Sequence, residues 1–278
     1  MTLTDGRYVH LQDSRSSDLA DLRDSGVSRY GAPVTATPGA GSASIEQPTY
    51  WWYRARADLL QTVLEEHVQE PRRVLDVGSA DGPSVGWLRK YGKQVSLDID
   101  PRGLPPGGVC GSALALPFAD ESFDVVAAFD VIEHCDLEAD VISELTRVLA
   151  PGGRLLLSVP AYEWAWTQFD EENGHHRRYT RGRAKRAVET AGLKVERATY
   201  AFASVFPLFA AERLLRRIKE RTPRDVRVPE ASDGVSLPAV SPQIERLLLF
   251  LSRMDQMLLR RGDLPFGSSV VVAATKPA

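Results

Sequence analysis

Apolar side chains recur along this chain in two rhythms. Trp51, Trp52, Leu59, Leu60, Val63 and Leu64 fall at helical spacing up to Pro71. From Arg72 the pattern changes, and short apolar runs alternate with helical stretches. Val74–Val77, Val95–Leu97, Val125–Phe129, Leu155–Val159 and Val195–Tyr200 read as strands, with helices at Val85–Tyr91, Leu137–Leu149 and Arg181–Ala191 between them. The alternation predicts an α/β fold whose parallel strands are joined by right-handed crossovers.

A last strand candidate, Ser269–Ala274, follows a long detour. The detour holds helix candidates at Phe202–Glu220 and Ile244–Arg261, separated by the proline-containing stretch Thr222–Pro242. One sheet with a helical insertion before its final strand is the economical reading. Residues 1–44 carry few large apolar side chains and end in the run from Pro33 to Ser44. Such a segment cannot bury enough surface to offset its ordering entropy, so a flexible tail is expected. The predicted division is a tail over 1–44, a core with its preceding helix over 45–200, a helical insertion over 201–267 and a final strand over 268–278.

Composition narrows the function. With 34 basic and 37 acidic side chains the net charge is −3, which argues against a nucleic-acid coat. The 2 cysteines, Cys110 and Cys135, cannot build a disulfide framework, which suits a reducing compartment. No apolar run reaches the ~18 residues of a membrane span, and the first residues lack the basic start and apolar core of a secretory signal. The expectation is a cytoplasmic protein.

The most informative stretch is Arg73-Val-Leu-Asp-Val-Gly-Ser-Ala-Asp-Gly82, a strand running into a glycine-containing turn. Ligands in open α/β sheets sit beyond the carboxyl ends of such strands. A dinucleotide site wants G-x-G-x-x-G, but here Ala80 and Pro83 stand where the second and third glycines should. Asp76 weakens that reading further, because an acid at the strand end suits a positively charged ligand group better than a pyrophosphate. At 20 residues beyond Gly78 lies Asp98, an acid at the next strand end, able to accept both hydroxyls of a ribose. The small-residue loop Gly111–Phe118 offers an apolar wall to an adenine ring.

The series VLDVGSADG, SLDID, GSALALPFADESFDVV, FDVIEH and RVLAPGGRLLLSVP resembles the class I S-adenosylmethionine-dependent methyltransferases. The resemblance covers roughly residues 50–200 and closes with the final strand. It implies a Rossmann-like, seven-stranded, mostly parallel sheet with helices on both faces and one antiparallel strand. It implies S-adenosylmethionine as cofactor, with Asp76, Gly78, Ala80 and Gly82 around its methionine part and Asp98, with Ile99 beside it, at its ribose. Ser112, Ala113 and Leu114 would flank adenine. Ala80 departs from the usual middle glycine, and Ser112 stands where many relatives have an aspartate. Arg56 and Tyr53, on the helix before the core, either close over the cofactor's carboxylate or serve packing and a surface charge, and Asp130 lies on the crevice rim.

Methyl transfer needs an acceptor lone pair held behind the methyl carbon, and a hydroxyl acceptor also needs a base. His134 follows the Val125–Phe129 strand and titrates, unperturbed, at about 6.5. It is either that base or a residue packing the next helix. The loop Tyr162–Tyr179 mixes Trp164, Trp166, Asp170, Glu171, His175, His176, Arg177 and Arg178. It either serves the acceptor, with Asp170 and His175 the foremost candidates, or pins itself to the following helix through His175 and Arg178. Its rings and charges suit a polyhydroxylated ligand. Together with Trp51-Trp52-Tyr-Arg-Ala-Arg56 it resembles a methyltransferase subgroup of glycan and glycosylated-metabolite pathways. The loop's acids and histidines are also a candidate set for Mg²⁺, although no spacing rule singles out ligands and no metal set is assigned.

The expected activity is O-methylation of a sugar hydroxyl on an oligosaccharide or other small-molecule acceptor. N- or O-methylation of a small natural product, and a non-catalytic cofactor-binding scaffold, stand as alternatives. The apolar-then-basic segment Ala201–Arg221 reads as a cap helix packed on the crevice with its basic face in water, or as a membrane-surface contact. The stripe Ile244, Leu247, Leu248, Leu251 and Leu258 suits core packing or a homodimer contact.

Overall fold

The computed structural model describes residues 49–79, 86–220 and 240–278. Helix α1 (Trp51–Val68) leads to β1 (Arg73–Val77), β2 (Lys93–Asp98), β3 (Val109–Cys110) and β4 (Phe123–Phe129). Next come α2 (Glu138–Val148), β5 (Leu149–Pro160), the short α3 (Gln168–Glu172), α4 (Arg181–Thr190) and β6 (Lys194–Ala201). Helices α5 (Phe206–Glu220) and α6 (Pro242–Leu259) precede β7 (Ser269–Thr275). The strands form one 7-stranded sheet in the order β3-β2-β1-β4-β5-β7-β6. β7 runs antiparallel to both β5 and β6, and the other pairings are parallel. This is the mostly parallel α/β sheet, with a helical detour before its last strand, that the apolar pattern anticipated.

Strands covered on both faces need no alternation, which is why β1, β4 and β7 appear in the sequence as nearly continuous apolar runs. The edge strand β6 begins with alternating exposed and half-buried positions. Helix α1 buries Leu59, Leu60, Val63, Leu64 and Val68 on one face and packs against β7 and α6. The chain enters β7 past Gly267, where an added Cβ would lie 2.1 Å from the Ala201 carbonyl oxygen, so the close approach of the two strands requires glycine. Asp255 of α6, fully buried, accepts from the backbone N–H and hydroxyl of Ser204 and ties the insertion to the end of β6.

Two local expectations differ, and one strand was not anticipated. The described part of Val85–Tyr91 is a 3-10 helix, Gly86–Lys90, rather than an α-helix. β3 has only two residues and so leaves no periodic trace. In α5 the expected orientation is reversed at Arg213, which lies buried over the rings of Phe169 and Phe209, its Nη1 donating to the Thr167 hydroxyl. Leu208, Leu214, Leu215 and Ile218 of the same helix face outward. The expectations for residues 1–44, for Ala80 and Gly82, and for most of Thr222–Pro242 lie outside the described residues.

Candidate functional site

The carboxyl ends of β1, β2, β4 and β5 lie along one edge of the sheet and carry most of the candidate residues. At the end of β1, Asp76 is buried and accepts from Gln94 Nε2 at 3.3 Å. Gly78 follows at φ +76°, its N–H donating to the Leu97 carbonyl at 2.8 Å. A Cβ there would lie 2.4 Å from Val131 Cγ2, so both conformation and space exclude a side chain. The hydroxyl of Ser79 is buried and has no hydrogen-bond partner among the described residues.

At the end of β2, Asp98 is almost wholly buried, and its Oδ1 accepts the backbone N–H of Asp100 at 2.7 Å. Its neighbour Ile99 is 46% exposed, an apolar side chain left open beside a carboxylate. The Arg102 guanidinium holds the Asp100 carboxyl below its ordinary range, so the charge of Asp100 is spent locally. Beyond β3, Ser112 Oγ accepts the Leu114 N–H at 3.2 Å. That bond shapes the loop and half-buries Ala113 and Leu114 against the core.

At the end of β4 the chain turns through Asp130 at φ +55°, a left-handed conformation that aspartate tolerates better than most residues. Its carboxylate meets Arg56 Nη2 at 2.9 Å and accepts from Ser158 Oγ at 3.0 Å, while Arg56 donates to the same hydroxyl at 3.0 Å. Arg56 is 2% exposed and lies over the Trp52 ring. A buried guanidinium is costly unless paired. Arg56 is therefore committed to Asp130 and Ser158, and the pair braces α1 against β4 and β5.

The turn after β4, Ile132–His134, meets the loop after α3. His176 donates its backbone N–H to the Glu133 carbonyl at 2.7 Å, and Arg177 Nη2 donates to the Asp136 carbonyl at 2.6 Å. These bonds bring the rings of His134 and His175 to 4.6 Å, edge to face. Asp170, fully buried, accepts from His175 Nδ1 at 2.9 Å, Arg178 Nε at 2.7 Å and the Thr167 N–H at 3.0 Å. Burial alone raises its pKa, but the His175 bond and the charge and bonds of Arg178 outweigh this and hold it at about 2. Asp170 is thus an anchored anion.

His134 reaches solvent at the mouth of this cluster yet is hemmed in by protein on its other sides. That crowding, and then His175, push its imidazole down to about 4, so it is neutral near pH 7. Glu133, which the sequence places on the crevice rim with Asp130 and His134, is fully buried, and neither of its carboxyl oxygens has a hydrogen-bond partner among the described residues. Burial first, and then the charge of Asp130, push its pKa well above the carboxylate range. Its place after a strand end was visible in the sequence; its lack of a partner was not.

Beyond β5 the backbone passes through Tyr162 at φ +63°, unfavourable for a bulky residue. The Tyr162 ring stacks on Tyr200 at 5.3 Å and on Trp164 at 5.8 Å. Trp164 remains 37% exposed. The rings of this loop thus form an aromatic surface on the same rim. A groove lined by Thr62, Glu65, Arg197 and Asp263 lies beside the start of β6, at the opposite end of the sheet, and contains none of these residues.

Residues 75–157 match the family model described as a methyltransferase domain. The chain is 31% identical over 144 residues to the malonyl-[acyl-carrier protein] O-methyltransferase of Halorhodospira halophila, covering 45% of this chain and 49% of the relative. It is 34% identical over 183 residues to the sterol 24-C-methyltransferase of Yarrowia lipolytica, covering 52% and 47%. A Mycolicibacterium smegmatis protein named "Probable S-adenosylmethionine-dependent methyltransferase" is 31% identical over 157 residues, covering 52% and 60%. The chain thus spans about half the length of these curated relatives. In fold it is similar to a chain of the solved "Complex between the Haloferax volcanii Trm112 methyltransferase activator and the putative methyltransferase", at TM-score 0.55 and 17% identity over 87% of this chain and 100% of that one.

Proposed function

We propose that this chain uses its S-adenosylmethionine-dependent methyltransferase domain to O-methylate a sugar hydroxyl of a glycan or glycosylated metabolite. The observation that carries the reading is the meeting of His134 and His175, anchored by Asp170, on the same rim as an exposed aromatic surface. When bound, the donor supplies an electrophilic methyl carbon.

Asp98 takes the ribose hydroxyls in this reading, with Ile99, Ala113 and Leu114 walling the adenine and Ser112 shaping their loop. Asp76, Gly78 and the unpartnered Ser79 hydroxyl face the methionine part, joined by Ala80 and Gly82 outside the described residues. Arg56 and Asp130 brace the floor between the two ligands. Neutral His134 offers a lone pair for the acceptor's proton, and Asp170 fixes the tautomer and direction of His175. Trp164 stacks on the C–H face of a sugar ring. The named relatives include an O-methyltransferase and a C-methyltransferase, so the acceptor is argued from this chain's own rim.

The reading has the protein act in the cytoplasm, without nucleic acid. No described helix is long and apolar enough to cross a membrane. The outward Leu208, Leu214, Leu215 and Ile218 of α5 support a contact with a membrane face or a second copy. The test is transfer of a labelled methyl group from the donor to a panel of oligosaccharides, phenols and amines, read by mass spectrometry. Label on a sugar hydroxyl is expected; label confined to amines or phenols would overturn the sugar acceptor.

A further inference from the structure

We propose that Glu133, His134 and His175 form a binding site for one divalent transition-metal ion. Their ligand atoms all lie within 4.8 Å of one another. That spacing is wider than direct coordination of a shared ion needs by only a small side-chain adjustment, with bonds of about 2.0–2.2 Å for imidazole and carboxylate on zinc.

The independent observation is Glu133. Its side chain is 0% exposed and neither carboxyl oxygen has a hydrogen-bond partner among the described residues, an arrangement that is costly unless another group satisfies it. The nearby guanidinium groups attract Glu133 only at a distance, their short ion pairs being Arg178 with Asp170 and Arg56 with Asp130. A cation at the cluster supplies what Glu133 lacks.

The histidines are arranged as metal ligands usually are. A ligating imidazole donates its other nitrogen to a carboxylate or carbonyl, which fixes the tautomer and turns a lone pair toward the ion. His175 Nδ1 pairs with the buried Asp170 at 2.9 Å, leaving Nε2 for an ion. His134 stands beside it, its ring 4.6 Å from that of His175. The loops carrying the ligands are held together by the His176 and Arg177 bonds, so the set is largely assembled before any ion arrives.

Two imidazoles and one carboxylate favour Zn²⁺, Mn²⁺, Fe²⁺ or Co²⁺ over Mg²⁺, which prefers oxygen ligands and keeps its waters. Mg²⁺, the ion considered from the sequence, suits this donor set less well. Three protein ligands leave positions open, and exposed His134 puts them on the solvent side. If the proposed function holds, an acceptor hydroxyl oxygen occupies one of them, and the ion, which takes the His134 lone pair, acidifies that hydroxyl in place of proton uptake by the ring; that role rests on the proposed function, whereas metal binding does not.

The test is titration of the chelator-treated full chain with Co²⁺, followed by visible absorption and calorimetry, with S-adenosylmethionine binding measured separately. One saturable Co²⁺ site is expected, weakened at least 100-fold in Glu133→Gln and His175→Asn while both variants keep the wild-type circular dichroism. Asp170→Glu, which preserves the carboxylate but shifts it, is expected to weaken Co²⁺ by about 10–100-fold. No uptake at millimolar Co²⁺, or uptake unchanged in Glu133→Gln, would overturn the site. Loss of donor binding in the wild type would instead overturn the methyltransferase reading and leave the metal result standing.

Discussion

The His175 imidazole stands edge-on to His134 at 4.6 Å while its Nδ1 is held at 2.9 Å by the buried Asp170 carboxylate. Residues 41 positions apart in the chain are thereby fixed in one cluster, with a neutral ring at its open side.

Replacing His134 or His175 by alanine should lower turnover by about 100-fold or more, the usual worth of a positioned proton acceptor. Donor affinity should change far less, because the proposed donor residues Asp76, Gly78 and Asp98 sit on other strand ends. Steady-state rates and donor calorimetry on the same preparations check this; an equal loss in both would assign the histidines to structure.

Asp170→Asn should destabilise the fold. Arg178 is 4% exposed, and removing the charge it faces leaves a buried guanidinium without its counter-ion. The cost expected for such a broken pair is about 3–5 kcal/mol, read from urea denaturation. A variant as stable as the wild type would contradict the anchoring role.

The same carboxyl makes a pH prediction. Its folded pKa is about 2, below the roughly 3.9 of an unfolded aspartate, so its contribution is complete above about pH 4 and is lost as pH falls toward 2. Wild-type stability should therefore drop across this window more steeply than that of Asp170→Asn. Parallel acid limbs would contradict the shift.

Gly78→Ala should cost about 1–3 kcal/mol, from the left-handed backbone together with the overlap on Val131. The Val131 shift falls next to Asp130, so donor binding should weaken as well. Thermal unfolding and calorimetry report the two effects; a variant indistinguishable from the wild type in both would contradict the fit at Gly78.

Strands that bury both faces announced themselves in the sequence, as Val74–Val77 and Val125–Phe129 show, because their apolar runs have no polar interruption. Placing Asp98 and His134 at strand ends followed from the same runs. β3 was not legible, since Val109 and Cys110 are too few to show a period. The inward Arg213 was hidden because a guanidinium over Phe169 and Phe209 looks in sequence like part of a solvated basic face. The unpartnered state of Glu133 depends on Arg56 and Arg178 choosing other carboxylates, a tertiary outcome no local pattern encodes. The tie from Asp170 to His175 and Arg178 lies between the two readings the loop allowed, since it is structural at Arg178 and directs His175 toward the rim.

The central claim, a methyl-donor site at the ends of β1 and β2, is tested most directly by calorimetric titration of the full chain with S-adenosylmethionine. One saturable site is predicted for the wild type, and Asp98→Ala should weaken it by about 10–100-fold, the worth of hydrogen bonds to a charged group. Absence of saturation at millimolar donor, or an unchanged affinity in Asp98→Ala, would contradict it.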